Sequence, residues 1–173
     1  LQEIHVCPTC YFASNNLKQF LAIGDKRDPQ DVFPSKIREA ILEGIPRREK
    51  LINYVEPNIL FSADREYDES VATYDLAIQS SETIYKFDPS VYGIEHYKMA
   101  NYYIKKAQLA IEVQDFRYID IWLQEALKIL PVAFTEVQGA NFFKLSYQFM
   151  AIAIYYNRDE FVAPYFQQLR KLK

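Results

Sequence analysis

Two cysteines, Cys7 and Cys10, set in LQEIHVCPTCYF with His5 just upstream, are the residues here best suited to chemistry. Cys-x-x-Cys spacing offers two thiolates from one tight turn, half of the tetrahedral set that Zn²⁺ takes from soft ligands. His5 is a candidate third ligand, because alternation along a strand places it on the same face as Cys7. Otherwise the remaining ligands come from upstream residues or from another chain. A second chemistry is open to the same pair. If a helix begins directly after it, the helix N-terminus lowers the pKa of Cys7 and makes it the nucleophile of thiol–disulfide exchange. That chemistry is normally mounted on a βαβ fold, and nothing after Gly24 alternates like a strand. The third reading is two ordinary reduced cysteines, too close in sequence to staple a fold.

No catalytic constellation competes with the cysteines. His5 and His96 are the only histidines, and His96 is expected to tip a helix N-terminus. There is no Gly-rich phosphate loop, G-x-S-x-G elbow or H-E-x-x-H. Asp64, Glu66, Asp68 and Glu69 form an acidic run that the dipole of a helix start explains without a metal. The expectation is a protein that is not an enzyme.

The elements that position these residues are mostly helical. Residues 1–12 alternate around Ile4 and Val6 and turn at Cys-Pro-Thr-Cys. Ser14 or Asn15 caps a short helix with Leu17, Phe20 and Leu21, ended by Gly24. Pro34-Ser35 opens a helix with Ile37, Ala40 and Ile41 that closes near Gly44, and Pro46 sits in the first turn of the next, which carries Leu51, Ile52 and Val55 up to Pro57. Residues 58–65 read as a connector. Tyr67, Val71, Tyr74, Ile78 and Tyr85 share one face of a long helix ending at Asp88-Pro89. Two further helices follow, striped by Ala100, Tyr103, Ile104, Ala107 and Ile111 and by Ile119, Trp122, Leu123, Ala126 and Leu130, with a joint at Gln114-Asp115. Leu145, Phe149, Ile152, Ala153 and Tyr156 stripe another helix. Asn157-Arg158-Asp159 turns the chain into a last one with Val162, Tyr165, Phe166 and Leu169, where Pro164 sits in the first turn or kinks it. The turns at 115 and 157–159 lie about 42 to 44 residues apart, a helix–turn–helix period.

The hairpin resembles a tetratricopeptide repeat (TPR), with Ala107 at the small position where paired helices approach, Ala126-Leu127 in the second helix and Pro131 as the closing proline. YYNRDEFVAPYFQQL resembles the next copy, although Met150 and Val162 stand where small residues are usual. With VCPTCYFAS and FSADREYDESVATYDLAIQS added, the whole chain resembles a bacterial family of unknown function that couples Cys-x-x-Cys knuckles to such an array. Its members usually carry another Cys pair upstream, and Tyr11 departs from the glycine common after the second Cys. The resemblance implies a structural zinc held in part by Cys7 and Cys10. It also implies a concave surface lined by the first helix of each repeat. Carried over from the Ala107 anchor, that surface is Asn101, Lys105, Gln108 and Glu112, continued by Lys144 and Gln148, and its Lys/Asn chemistry suits a peptide carboxylate. The plainer reading of that stripe is a solvated helix face. The aromatic pairs Tyr102-Tyr103, Phe142-Phe143 and Tyr155-Tyr156, and Val91-Tyr92-Gly93, could be read as a ligand-stacking wall, but at helical spacing they are expected to be mainly core.

The expected fold is all-α, TPR-like stacked antiparallel helical hairpins with a small N-terminal arm. Its domains are 1–24 (arm and short helix), 25–66 (connecting helices) and 67–173 (helical array). A net charge of −3 without a basic stripe argues against nucleic acid. No apolar run approaches a membrane span and no secretory leader is legible, so the expectation is a cytoplasmic protein without membrane insertion. The opening at Leu1 is consistent with an upstream segment. Partners are expected to be another protein or a second copy of the chain, and possible cofactors are limited to a structural Zn²⁺. A thiol-redox or zinc-responsive regulator using Cys7 and Cys10 is the alternative.

Overall fold

The computed structural model describes residues 3–20, 33–62, 64–87, 94–137 and 139–171. It is mostly helical, as expected, and divides into two compact units, Leu1–Tyr92 and Gly93–Lys173.

The first unit begins with a two-stranded antiparallel hairpin, β1 (His5–Val6) and β2 (Ala13–Ser14), in which His5 faces Ser14 and Val6 faces Ala13. A 3₁₀ turn at Leu17–Gln19 stands where a short capped helix was expected, and Leu21 to Gly24 lie outside the described residues. Helix α1 (Ser35–Glu43) buries Ile37 and Ile41 and ends at Gly44. Helix α2 (Ile45–Leu51) carries Pro46 in its first turn, while Ile52 and Val55 are buried beyond its end. The stretch read as a connector opens with one turn of helix, α3 (Pro57–Leu60). All of these pack on α4 (Tyr67–Phe87), as does β2. The expected one-sided stripe on α4 is incomplete. Ala72, Leu76, Ala77 and Ile84 are buried as well as Tyr74 and Ile78, and so are Thr73, Gln79, Ser80 and Ser81. A helix packed on several sides is buried around its circumference, and small hydroxyl residues let neighbours approach. The periodicity had grouped α4 with residues 67–173, whereas its contacts here lie with the hairpin and α1–α3.

The second unit is four helices, α5 (Glu95–Glu112), α6 (Ile119–Glu136), α7 (Ala140–Tyr155) and α8 (Asp159–Lys171). α5 pairs closely with α6, whereas α7 and α8 meet each other about as α5 meets α7 and α6 meets α8. Ala100, Ala107, Ala110, Ala126, Ala133 and Ala153 are fully buried, so backbones approach where the side chain is only a methyl. Both tight turns repeat one hydrogen-bond pattern. Gln114 and Asn157 adopt φ of 60° and 53°, and Asp115 N–H and Arg158 N–H donate back to the carbonyls of Ala110 and Ala153, each at 2.8 Å. This is the Schellman helix ending, here without glycine. The α5–α6 connection is longer than Gln114-Asp115, because Phe116 to Tyr118 follow before α6 starts.

Pro131 does not close α6 as expected; the helix runs through it to Glu136. Proline inside a helix forfeits a backbone bond, at about 3 kcal/mol. The continuation compensates through buried Ala133 and through Glu136, whose carboxylate accepts from His96 Nδ1 (2.5 Å) and Tyr97 N–H (3.0 Å) at the start of α5. His96 thus occupies the helix start expected of it. Pro164 likewise falls inside α8, beyond its first turn.

Replacing Gln114 with Gly should raise stability by up to about 1 kcal/mol, since the left-handed conformation no longer carries a Cβ. Asn157→Gly should gain less, because Asn tolerates that region. Urea midpoints of the two variants check the order, and a lower midpoint for Gln114→Gly would contradict it.

Candidate functional site

Cys7 and Cys10 flank the hairpin turn. Cys7 N–H donates to Phe12 O (2.8 Å) and Tyr11 N–H to Cys7 O (2.9 Å), with Tyr11 at φ 55°. Tyrosine therefore takes the left-handed conformation that glycine would adopt more readily. Pro8 and Thr9 at the tip are exposed, the cysteines are half-buried, and both pack on a cluster of Phe12, Phe33, Ile37, Ile41 and Ile84. Burial is the largest influence on Cys10 and pushes its thiol up to about 11, against a lowering backbone hydrogen bond at Phe12. No α-helix begins at the pair, since β2 and the 3₁₀ turn follow, so the helix dipole required by the thiol–disulfide reading is not supplied there.

The hairpin is held by two arginines, Arg48 on α2 and Arg65 in the segment before α4. Arg48, fully buried on α2, donates from Nε to Cys10 O (2.8 Å) and from Nη2 to Ile41 O near the C-terminus of α1. Its Nη1 has no hydrogen-bond partner among the described residues. A Cβ on Gly44 would lie 2.6 Å from that Nη1, so the missing side chain is what admits the guanidinium. Arg65 bridges Leu60 O and Ile4 O at 2.8 Å each, and Ser80 Oγ on α4 accepts from Ala13 N–H at 3.0 Å. Burial lowers the pKa of both arginines.

Two soft sulfurs on one turn suit half of a tetrahedral soft-metal site. Among the described residues no three His, Cys, Asp or Glu groups converge to complete it. His5, the candidate third ligand, lies 3.9 Å from Glu3 and edge-on to Phe20, with ring centroids 6.2 Å apart.

The predicted partner stripe falls in the second unit, at a groove of about 490 Å³ between α5 and α7. α5 contributes Gln108, Ile111 and Glu112; α7 contributes Tyr147, Gln148, Ala151, Ile152, Tyr155 and Tyr156. Three of the six predicted residues, Gln108, Glu112 and Gln148, therefore line one cavity. Lys105 stands one turn earlier on α5 and donates to Gln108 Oε1 at 2.7 Å. Burial lowers its pKa, the positive charge of Lys144 on α7 adds to that, and Glu112 opposes it. The two lysines thus share one electrostatic neighbourhood. Asn101 lies a further turn back, half-buried, and does not line the groove.

Phe143 and Tyr155 are not core, against the expectation for their pairs. Phe143 (68% exposed), Tyr147 (71%) and Tyr155 (77%) stand out on α7, whereas Tyr102 and Phe142 are core as expected. Their signal was present: Tyr147, Ala151 and Tyr155 recur every fourth residue, on a face separate from buried Leu145, Phe149 and Ile152. Lys106 was also missed. It is buried, with Nζ 4.6 Å from the centroid of Trp122, a cation–π contact.

A family model described as "Uncharacterized protein conserved in bacteria (DUF2225)" matches residues 2–156. No curated protein and no solved structure matches the chain. No helix among the described residues is long and apolar enough to cross a membrane.

Alkylation of Cys10 should be slow near neutral pH and accelerate as pH rises toward 11, because the thiolate is the nucleophile. Mass spectrometry of a Cys7→Ser variant treated with iodoacetamide from pH 7 to 10.5 checks this. Full reactivity already at pH 7 would contradict the buried thiol.

Proposed function

This chain belongs to the DUF2225 family of proteins conserved in bacteria, and we propose that it is a non-enzymatic interaction module that binds an extended segment of a partner protein in the α5–α7 groove. The observation that carries this reading is an aromatic groove, with Glu112 as its charged lining residue, and Lys105 and Lys144 one turn before its lining residues Gln108 and Tyr147. Tyr147, Ile152 and Tyr155 offer an apolar wall for one side chain, while Lys105 and Lys144 concentrate positive charge beside it. Two like charges brought together are relieved by an anion, and a carboxylate fits the ammonium donors. The partner segment therefore carries an acidic group next to a large apolar side chain. Contact of α5 with α7 and of α6 with α8 supports the TPR-like reading, in which first helices of successive repeats line the binding surface.

A metal-responsive role is the second reading, favoured by the two cysteines that flank one turn and rest on one apolar cluster. Cys7 and Cys10 would hold a soft cation there, with the remaining ligands supplied by other residues or another chain.

Peptides selected from a random display library against the chain should be acidic with a large apolar residue nearby. Lys105→Glu combined with Lys144→Glu should weaken such a peptide at least tenfold in fluorescence polarisation, and Tyr155→Ala several-fold. Selected peptides that bind both variants like the parent would remove the groove from this role.

A further inference from the structure

The turn that carries Cys7 and Cys10 has two backbone hydrogen bonds of its own, and a buried charge adds a third hold on it. Helix α2 delivers Arg48 beneath the hairpin, where Nε holds the carbonyl of Cys10 itself, not a neighbour's. Nη2 holds Ile41 O, near the end of a helix whose C-terminal carbonyls carry partial negative charge. Ile41 also belongs to the apolar cluster on which both cysteines rest. One rigid, planar group thus ties the backbone of one thiol-bearing residue to the floor under both. In its present position the guanidinium leaves no room for a Cβ at position 44, whose φ of −76° is one any residue could adopt. The glycine is needed for space, not for conformation.

We propose that Arg48, seated in the space left by Gly44, is a positioning residue that preorganises Cys7 and Cys10 as a two-thiolate chelate for a soft divalent cation. The inference rests on the metal-binding reading of the turn and is independent of the groove. Ligands held in place before the metal arrives bind it more tightly than ligands that must first be ordered, and groups that orient first ligands typically contribute 10–100-fold in metal affinity. Arginine suits the role better than lysine, because its fork spans two carbonyls at once.

The test is Co²⁺ and Zn²⁺ binding by the reduced full chain, followed by competition with a chromophoric chelator and by the thiolate-to-Co²⁺ charge-transfer band. Arg48→Met should weaken affinity about 10–100-fold, Arg48→Lys should fall between it and the parent, and Gly44→Ala should weaken it with the arginine still present. The charge-transfer intensity per bound Co²⁺ should stay that of two thiolates in every variant. Circular dichroism of each metal-free variant shows whether it is folded. A folded Arg48→Met that binds like the parent overturns the inference while leaving the metal reading intact. If Arg48→Met fails to fold, Gly44→Ala decides alone, and parental affinity there overturns the inference. Parental binding no stronger than that of Cys7→Ser/Cys10→Ser overturns both.

Discussion

Backbone satisfaction by side chains from the helical layer is the constraint on which the first unit depends. β1 and β2 are too short to hold together in water as an isolated hairpin. Backbone polar groups in β2 and flanking the strands are taken up instead by Arg65 at Ile4 O, Arg48 at Cys10 O and Ser80 at Ala13 N–H. Each buried donor or acceptor left unpaired would cost about 1–3 kcal/mol, comparable to a large part of a domain's net stability. The arm is therefore a lid whose shape is dictated from beneath.

The same logic explains an otherwise odd interior. Arg48 is fully buried, and its hydrogen bonds run to carbonyls, which hold a guanidinium without neutralising it. Burial of a cation is tolerated here because the carbonyl end of α1 lies beside it and because Gly44 removes the atom that would collide. Buried small polar residues on α4 fit this arrangement. Ser80 is there as an acceptor for a strand, and a larger apolar residue would both block the approach and orphan the amide.

In the second unit the organising feature is close approach through alanines, with polar groups placed at the ends of elements. Glu136 receives two donors from the start of α5, and Lys106 lays its charge on Trp122. Once the inward faces are filled by Leu123, Leu130, Leu145 and Phe149, the aromatic residues of α7 that remain are left outside, where they wall the groove. An exposed stripe of large aromatic residues beside paired lysines is unusual for a surface with no partner.

Local rules legible in the sequence determined the helices and several of their ends. Stripes at 3.6-residue spacing placed Ile119, Trp122, Leu123, Ala126 and Leu130 in the core, Gly44 closed α1, and Cys-Pro-Thr-Cys marked the turn. That Gln108, Glu112 and Gln148 line one groove depends on contact between α5 and α7, which spacing within either helix does not give. Tertiary structure alone decided that α4 packs under the hairpin, that α6 passes through Pro131, that Arg48 reaches Cys10 from far along the chain, and that Tyr155 faces out while Phe142 faces in. The physical reason is range. Periodicity and capping depend on residues within a turn or two of each other, whereas burial of a charge, survival of a proline and the choice of which aromatic is covered depend on what another element brings to that place.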